Sequence, residues 1–162
     1  MHRFKAKELI NCLNALGKTV VAAESCTAGL VADMIARVPG ASRVFWGSFI
    51  CYTPDAKIRM LGVGEDTIKQ FGVVSREIAC EMALGALENS SAEYAVSVTG
   101  VAGPGKDSGV EAGTVWIAAA RRGEKAEAGG IKEKELAAVL HFILRNFAVK
   151  SFFFLPFIKS SI

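Results

Sequence analysis

The sequence predicts an α/β domain with helices on both faces of one sheet, and three observations carry that expectation. Short apolar runs bounded by turn residues alternate with longer stretches whose apolar positions recur every three or four residues. The strongest strand candidates are apolar on both alternations, as strands covered on both faces are. No internal repeat or linker interrupts the pattern, and 162 residues, 51% hydrophobic and 22% charged, suffice for one domain with a sizeable core.

Leu9, Ile10, Leu13 and Leu16 mark a first helix, stopped by Gly17. A buried strand is expected over 19–23, followed by a helix over about 26–38 that carries Leu30, Val31, Met34, Ile35 and Val38 and closes at Pro39-Gly40. The aromatic and β-branched stretch 44–52 predicts a second strand. Pro54 then opens a short helix containing Lys57, since proline is tolerated at a first helical position. A further short helix is expected over 66–71, and Ser75 caps a longer one to about Glu88, with Glu77 in its first turn. Residues 94–98 predict a third strand and 114–120 a fourth, with the glycine-rich stretch 100–113 between them. Arg122-Gly123 predicts a hairpin turn into a weaker fifth strand, and Leu136, Val139, Leu140, Ile143, Leu144 and Phe147 define a last helix. The tail Phe152, Phe153, Phe154, Leu155 and Phe157 is too short to span a bilayer and too apolar to be left in water, so a homo-oligomer, a dimer or dimer of dimers, is expected to cover it.

Composition narrows the function. A net charge of +3, spread without basic runs, argues against nucleic acid as partner, and no apolar run approaches a membrane span. The N-terminus leads into an amphipathic helix and not a signal sequence, so a cytoplasmic protein is expected. Cys12, Cys26, Cys51 and Cys80 lack metal-ligand spacing and only His2 and His141 could assist them, so neither a metal nor another cofactor is expected.

The chemistry concentrates where strands end. Ser25, Cys26 and Thr27 sit at the turn from the first strand into its helix, so the first free N–H groups of that helix are expected to face whatever docks there. The plain alternative is that Ser25 caps the helix. Tyr52 ends the second strand, Lys57 lies one helical turn beyond, and Thr99 ends the third. Ligands of open sheets bind at the carboxyl ends of parallel strands, so these side chains converge on one edge. A serine needs a base to act as nucleophile, and Lys57, if burial lowers its pKa, is the natural one, with Tyr52 bridging hydroxyl and amine. Taken singly, Lys57 reads as a solvated surface lysine. Cys26 is a rival nucleophile with no nearby histidine to activate it. The stretch Gly100–Asp107 nearly fits a P-loop, but Asp107 replaces the Mg²⁺-binding hydroxyl and a strand follows where a helix is needed.

Ala23-Glu24-Ser25-Cys26-Thr27-Ala28-Gly29, then Tyr52 with Asp55-Ala56-Lys57, Gly72-Val73-Val74-Ser75, Ser97-Val98-Thr99-Gly100-Val101-Ala102-Gly103-Pro104 and Gly113-Thr114-Val115-Trp116 resemble, in this order, the CinA C-terminal domain family. Its characterised members are PncC-type nicotinamide-nucleotide amidases. The resemblance covers roughly residues 5–125 and implies a three-layer α/β/α sandwich with a mixed, mostly parallel five-stranded sheet. It implies hydrolysis of nicotinamide mononucleotide to nicotinate mononucleotide and ammonia, so the partner expected is a small nucleotide, handled by a single stand-alone domain. Carried over by position, Ser25 is the nucleophile, Lys57 its base and Tyr52 the orienting hydroxyl. Thr99 is a substrate contact with Gly100 and Gly103 beside it, and the backbone N–H groups around Cys26 and Thr27 bind the oxyanion. The chain departs from the family at Ala28, where glycine is common, and after Gly130, where the family carries arginines and this chain has Lys132 and Lys134. Lys132 is then expected to meet the substrate phosphate as a point charge. A member without that arginine could alternatively be a non-catalytic pyridine-nucleotide-binding or assembly protein.

Overall fold

The computed structural model describes residues 2–107 and 109–131. The predicted last helix, Lys132, Lys134 and the apolar tail on which the oligomer expectation rests lie outside the described residues. The elements run α1 (His2–Leu16), β1 (Val20–Glu24), α2 (Leu30–Ala36), a 3₁₀ turn at Ala41–Arg43, β2 (Phe45–Ile50), α3 (Pro54–Leu61), α4 (Glu65–Phe71), α5 (Arg76–Glu88), β3 (Tyr94–Gly100), β4 (Val115–Arg121) and β5 (Glu127–Ile131).

The five strands form one sheet in the order β2-β1-β3-β4-β5. The pairs of β1 with β2 and β3 are parallel, and β4 runs antiparallel to both β3 and β5. The period of two along each strand sorts the core into two layers. Val20, Ala22, Val96, Val98 and Ile117 face α1 and α2, where Leu9, Ile10, Leu13, Val31 and Ile35 are buried. Val21, Ala23, Ala95, Ala118 and Ala120 face the other way, against Leu61 of α3 and Ile78, Met82 and Ala86 of α5. The three-layer α/β/α sandwich is therefore present, and the five-residue run of β1 is buried throughout because helices cover both its faces.

Local signals act where the sequence places them. α1 ends at Gly17, whose φ of 61° lets the Gly17 and Lys18 N–H groups turn back onto the Asn14 and Leu13 carbonyls. Thr53 caps α3 by accepting from Ala56 N at 3.1 Å, with Pro54 at its first position. Ser75 caps α5 by accepting from Ile78 N at 3.3 Å. At the far end of α5 the Arg122 guanidinium, on the predicted hairpin turn, donates to the Leu87, Ser90 and Ala92 carbonyls.

Two boundaries differ from expectation. The second helix begins at Leu30 and not near 26, because residues 25–29 form successive turns in which Ala28 and Gly29 both have positive φ (48° and 101°). The second strand stops at Ile50, so Cys51 and Tyr52 lie beyond it in the approach to α3.

One close approach sets the position of α3. Its last carbonyl, Leu61, rests against Gly85 in the middle of α5, where any Cβ would collide with the Leu61 oxygen. Glycine in a helix interior is unfavourable by itself, so this one is explained by the contact. Gly85→Ala is expected to force α3 off α5 and to lower stability by about 2 kcal/mol or more, read from the urea midpoint at unchanged slope.

Candidate active site

The site is built at the carboxyl ends of β1, β2 and β3. One residue beyond each strand's paired register the chain places Ser25 between Cys51 and Thr99: Cys51 N–H donates to the Glu24 carbonyl at 2.7 Å, and Ser25 N–H to the Val98 carbonyl at 2.9 Å. Alternation carries Ser25 to the face that holds Val21 and Ala23, the face covered by α3 and α5. Lys57 projects from α3 into the same place. It is 2% exposed, with Nζ 2.8 Å from Ser25 Oγ and 3.0 Å from the Cys51 carbonyl oxygen.

This contact decides the character of the lysine. Burial pushes the Lys57 ammonium below the ordinary lysine value of 10.5, a shift only opposed by the neighbouring Cys51 and Cys26 thiols. Once neutral, the amine keeps one hydrogen on the Cys51 carbonyl and turns its lone pair to the Ser25 hydroxyl, which then donates. Burial acts in the opposite direction on the thiols: Cys26 and Cys51 are both held above the ordinary value of 9.0, although Lys57 pulls each down. The protonated thiol is a poor nucleophile, so the environment favours Ser25 over Cys26.

The turn behind Ser25 is organised by Glu24, a residue the sequence did not single out. Glu24 is fully buried. Its Oε2 accepts from the Gly29 and Val31 N–H groups, both at 3.0 Å, and its Oε1 from Ala32 N–H at 2.9 Å and Ser48 Oγ at 3.1 Å. Ser25 is therefore not the cap of α2; the carboxylate is, and the first amides of that helix are not available to a ligand. Among the described residues no backbone acceptor meets the Cys26 or Thr27 N–H, which precede the helix. Thr27 Oγ1 is buried without a hydrogen-bond partner among the described residues. A signal for Glu24 was present in the sequence: an acid closing an apolar strand just before a helix must find donors nearby.

The remaining predicted residues differ in depth and in partners. Tyr52 is beside Cys51 in the chain, but its side chain is 68% exposed and its hydroxyl meets neither Ser25 nor Lys57; the Cys51 carbonyl holds the amine where the phenol was expected to. Thr99 is buried next to Ser25, and its hydroxyl donates to the Val73 carbonyl at 3.0 Å, tying the Gly72–Ser75 stretch to the strand end. Gly100 is the last residue of β3, pressed so close to the Thr114 carbonyl that a Cβ would sit 2.6 Å from it. Gly103 lies in the exposed loop, where a Cβ would meet nothing. That loop pinches at an Asp107–Val110 bridge and leads into β4, so no helix follows it. Lys132 lies outside the described residues.

Comparison with known proteins agrees with this fold. A family model described as CinA C-terminal domain matches residues 3–142. The nicotinamide-nucleotide amidohydrolase PncC of Escherichia coli K12 is 46% identical over 123 residues, 74% of this chain and 73% of that protein. A putative competence-damage inducible protein of Caldicellulosiruptor saccharolyticus is 47% identical over 115 residues, 70% of this chain but 28% of that longer protein. Among solved structures, the competence/damage inducible protein CihA of Agrobacterium tumefaciens superposes with a TM-score of 0.83 at 36% identity, covering 93% of this chain and 95% of that one.

Two stability measurements follow from the site. Between the lowered Lys57 value and 10.5 the unfolded chain binds the proton that the folded one has released, so stability rises with pH across that window. The difference in unfolding free energy between the protein and Lys57→Met is expected to grow in the protein's favour as pH rises toward 10.5; a flat difference contradicts a lowered lysine. At Ala28, φ of 48° is a left-handed conformation that costs an alanine more than a glycine. Ala28→Gly is therefore expected to stabilise the chain by up to about 1 kcal/mol, after the entropy of the added glycine is subtracted, as read by denaturant unfolding.

Proposed function

The chain belongs to the CinA C-terminal domain family, and on that premise we propose that it is a nicotinamide-nucleotide amidase, converting nicotinamide mononucleotide to nicotinate mononucleotide and ammonia by a Ser-Lys mechanism. The observation that carries the reading is the buried 2.8 Å contact between Ser25 Oγ and Lys57 Nζ. A lysine that only stabilises the fold gains nothing from desolvation beside a hydroxyl; a lysine that must take a proton near neutral pH does.

In the first half-reaction Ser25 Oγ attacks the carboxamide carbon while neutral Lys57 takes its proton. The C–O bond forms and the carbonyl electrons move to oxygen, giving a tetrahedral oxyanion. The Cys26 and Thr27 N–H groups, which meet no backbone carbonyl among the described residues, are the proposed donors to it. Lys57 then hands its proton to the departing nitrogen, the C–N bond breaks, and ammonia leaves an acyl-serine. Water, deprotonated by the same amine, attacks the ester carbon and releases the carboxylate, restoring Ser25. Thr99 and the orphaned Thr27 hydroxyl are the proposed polar contacts to the substrate, and the exposed Tyr52 orients it from the solvent side. Gly100 and Gly103 are proposed to bring loop backbone alongside the substrate, and Lys132 to meet its phosphate. The four cysteines are unpaired, which accords with a cytoplasmic protein.

Ammonia release from nicotinamide mononucleotide by the purified protein tests the reading. Ser25→Ala is expected to abolish it while Cys26→Ala keeps most of it. Lys57→Arg should lose at least about a hundredfold, because guanidinium cannot give up its proton at working pH. The rate should rise with pH up to the lowered Lys57 value. A folded Cys26→Ala protein as dead as Ser25→Ala would move the nucleophile to the thiol, and substantial turnover by Lys57→Arg would remove the lysine base. Tight nucleotide binding with no ammonia would instead favour the non-catalytic binding protein.

A further inference from the structure

We propose that Glu24 is a positioning residue for acyl transfer: by capping α2 from inside the domain, its carboxylate holds the Ser25–Gly29 turn so that Ser25 Oγ stays on Lys57 while the Cys26 and Thr27 amides stay clear of backbone carbonyls. This rests on the Ser-Lys reading above and concerns a residue that touches neither the substrate nor the reacting atoms.

The geometry of the turn carries the inference. Its first residue is pinned through the Ser25 N–H on the Val98 carbonyl, and its last through the Gly29 N–H on Glu24 Oε2. Between these anchors the chain closes two consecutive turns, Ala28 N–H on the Ser25 carbonyl and Leu30 N–H on the Thr27 carbonyl. The second turn holds Ala28 and Gly29 at positive φ, a conformation an alanine does not adopt unless its surroundings impose it. Had α2 started near residue 26, as its apolar periodicity permits, residues 26–29 would have taken helical backbone angles, without the positive φ of Ala28 and Gly29, and the amides after Ser25 would point along the helix axis. The carboxylate instead takes the amides of Gly29, Val31 and Ala32 and sets the helix start four residues later. Ser48 of β2 donates to the same group, so the adjacent strand fixes the carboxylate as well.

A glutamine at this position cannot reproduce the arrangement. If its amide oxygen replaces Oε2, its NH₂ faces the Ala32 N–H, donor against donor, and only Ser48 can reverse to accept. An aspartate keeps the charge but falls short of the amides by one methylene.

The test labels Ser25 with a small serine-directed phosphonofluoridate, locates the adduct by mass spectrometry, and compares rates for the protein, Glu24→Gln, Glu24→Asp and Ser48→Ala across pH. Folded fraction is measured under the same conditions by circular dichroism. A folded Glu24→Gln or Glu24→Asp is expected to label about tenfold to a hundredfold more slowly, as misplacement of about 1 Å does, with an unchanged pH midpoint and a lower plateau. Ser48→Ala, which keeps the three amide donors, is expected to slow labelling by about two- to fivefold, as the loss of one of several supporting hydrogen bonds does. A loss that merely tracks the unfolded fraction, or a shifted midpoint at full plateau, overturns the proposal. So does labelling at the parent rate by a folded Glu24 variant or, if neither folds, by Ser48→Ala. A parent protein that does not label overturns it too. The reagent requires no amide substrate, so absence of ammonia release with normal labelling defeats the amidase reading alone.

Discussion

A carboxylate fully buried at the carboxyl end of β1 is the constraint around which the site is arranged. Placing an unpaired charge at that depth costs several kcal/mol, and the cost is offset only when hydrogen bonds replace the lost water. Glu24 achieves this with the Gly29 amide ahead of α2, two amides of α2 and the Ser48 hydroxyl, so that β1, β2 and α2 all meet at one group. The helix dipole adds to the effect, because the positive end of α2 points at the charge. The consequence for chemistry is indirect. An anion site commonly found at a helix N-terminus is filled here by the protein itself, and the amides that meet no backbone carbonyl among the described residues are those of Cys26 and Thr27 in the turn ahead of the helix.

The second half of the site arrives from the opposite layer. Lys57 reaches Ser25 because α3 lies close against α5, with Leu61 on Gly85, and because Thr53 and Pro54 start the helix directly after Cys51. That short connection matters: the Cys51 carbonyl, freed from sheet pairing where β2 ends, becomes the acceptor that steers the amine. Desolvation of Lys57 is then a product of packing two helices on a sheet and needs no charged partner. The same burial that lowers the amine raises the neighbouring thiols, so one environment favours the neutral form of all three groups.

Around this pair, polar groups on buried strands serve as ties. Ser97 Oγ donates to the Ala79 carbonyl of α5 and Thr99 Oγ1 to Val73 ahead of it, which locks α5 to β3 at both levels. Arg122 closes the other end of α5 by collecting carbonyls that the helix cannot satisfy internally. Glu81 of α5 accepts from Gly64 N–H and Thr67 Oγ1, anchoring α4 by the same means. Each bond satisfies a buried polar group and also fixes the register between sheet and helix, so rigidity of the site derives from its surroundings.

The alternation of apolar strands with amphipathic helices was enough to determine the fold class, and the start of α3 at Pro54, the cap at Ser75, the stop at Gly17 and the hairpin at Arg122-Gly123 were legible because their chemistry is local. So was the gathering of Ser25, Lys57 and Thr99 at one sheet edge, since strand ends and short connections leave them few other places. What the tertiary structure alone decided is which side chains touch. The turn at residues 25–29 replaced the predicted helix start because Glu24, at the strand end, takes the Gly29, Val31 and Ala32 amides and so caps the helix at Leu30, which periodicity could not reveal. Tyr52 lost its expected bridging place because β2 ended at Ile50 and left a backbone carbonyl nearer to the amine than the phenol. Both outcomes depend on distances between segments far apart in sequence or on the last residue of a strand. Periodicity constrains neither of these, whereas the packing of three layers constrains both.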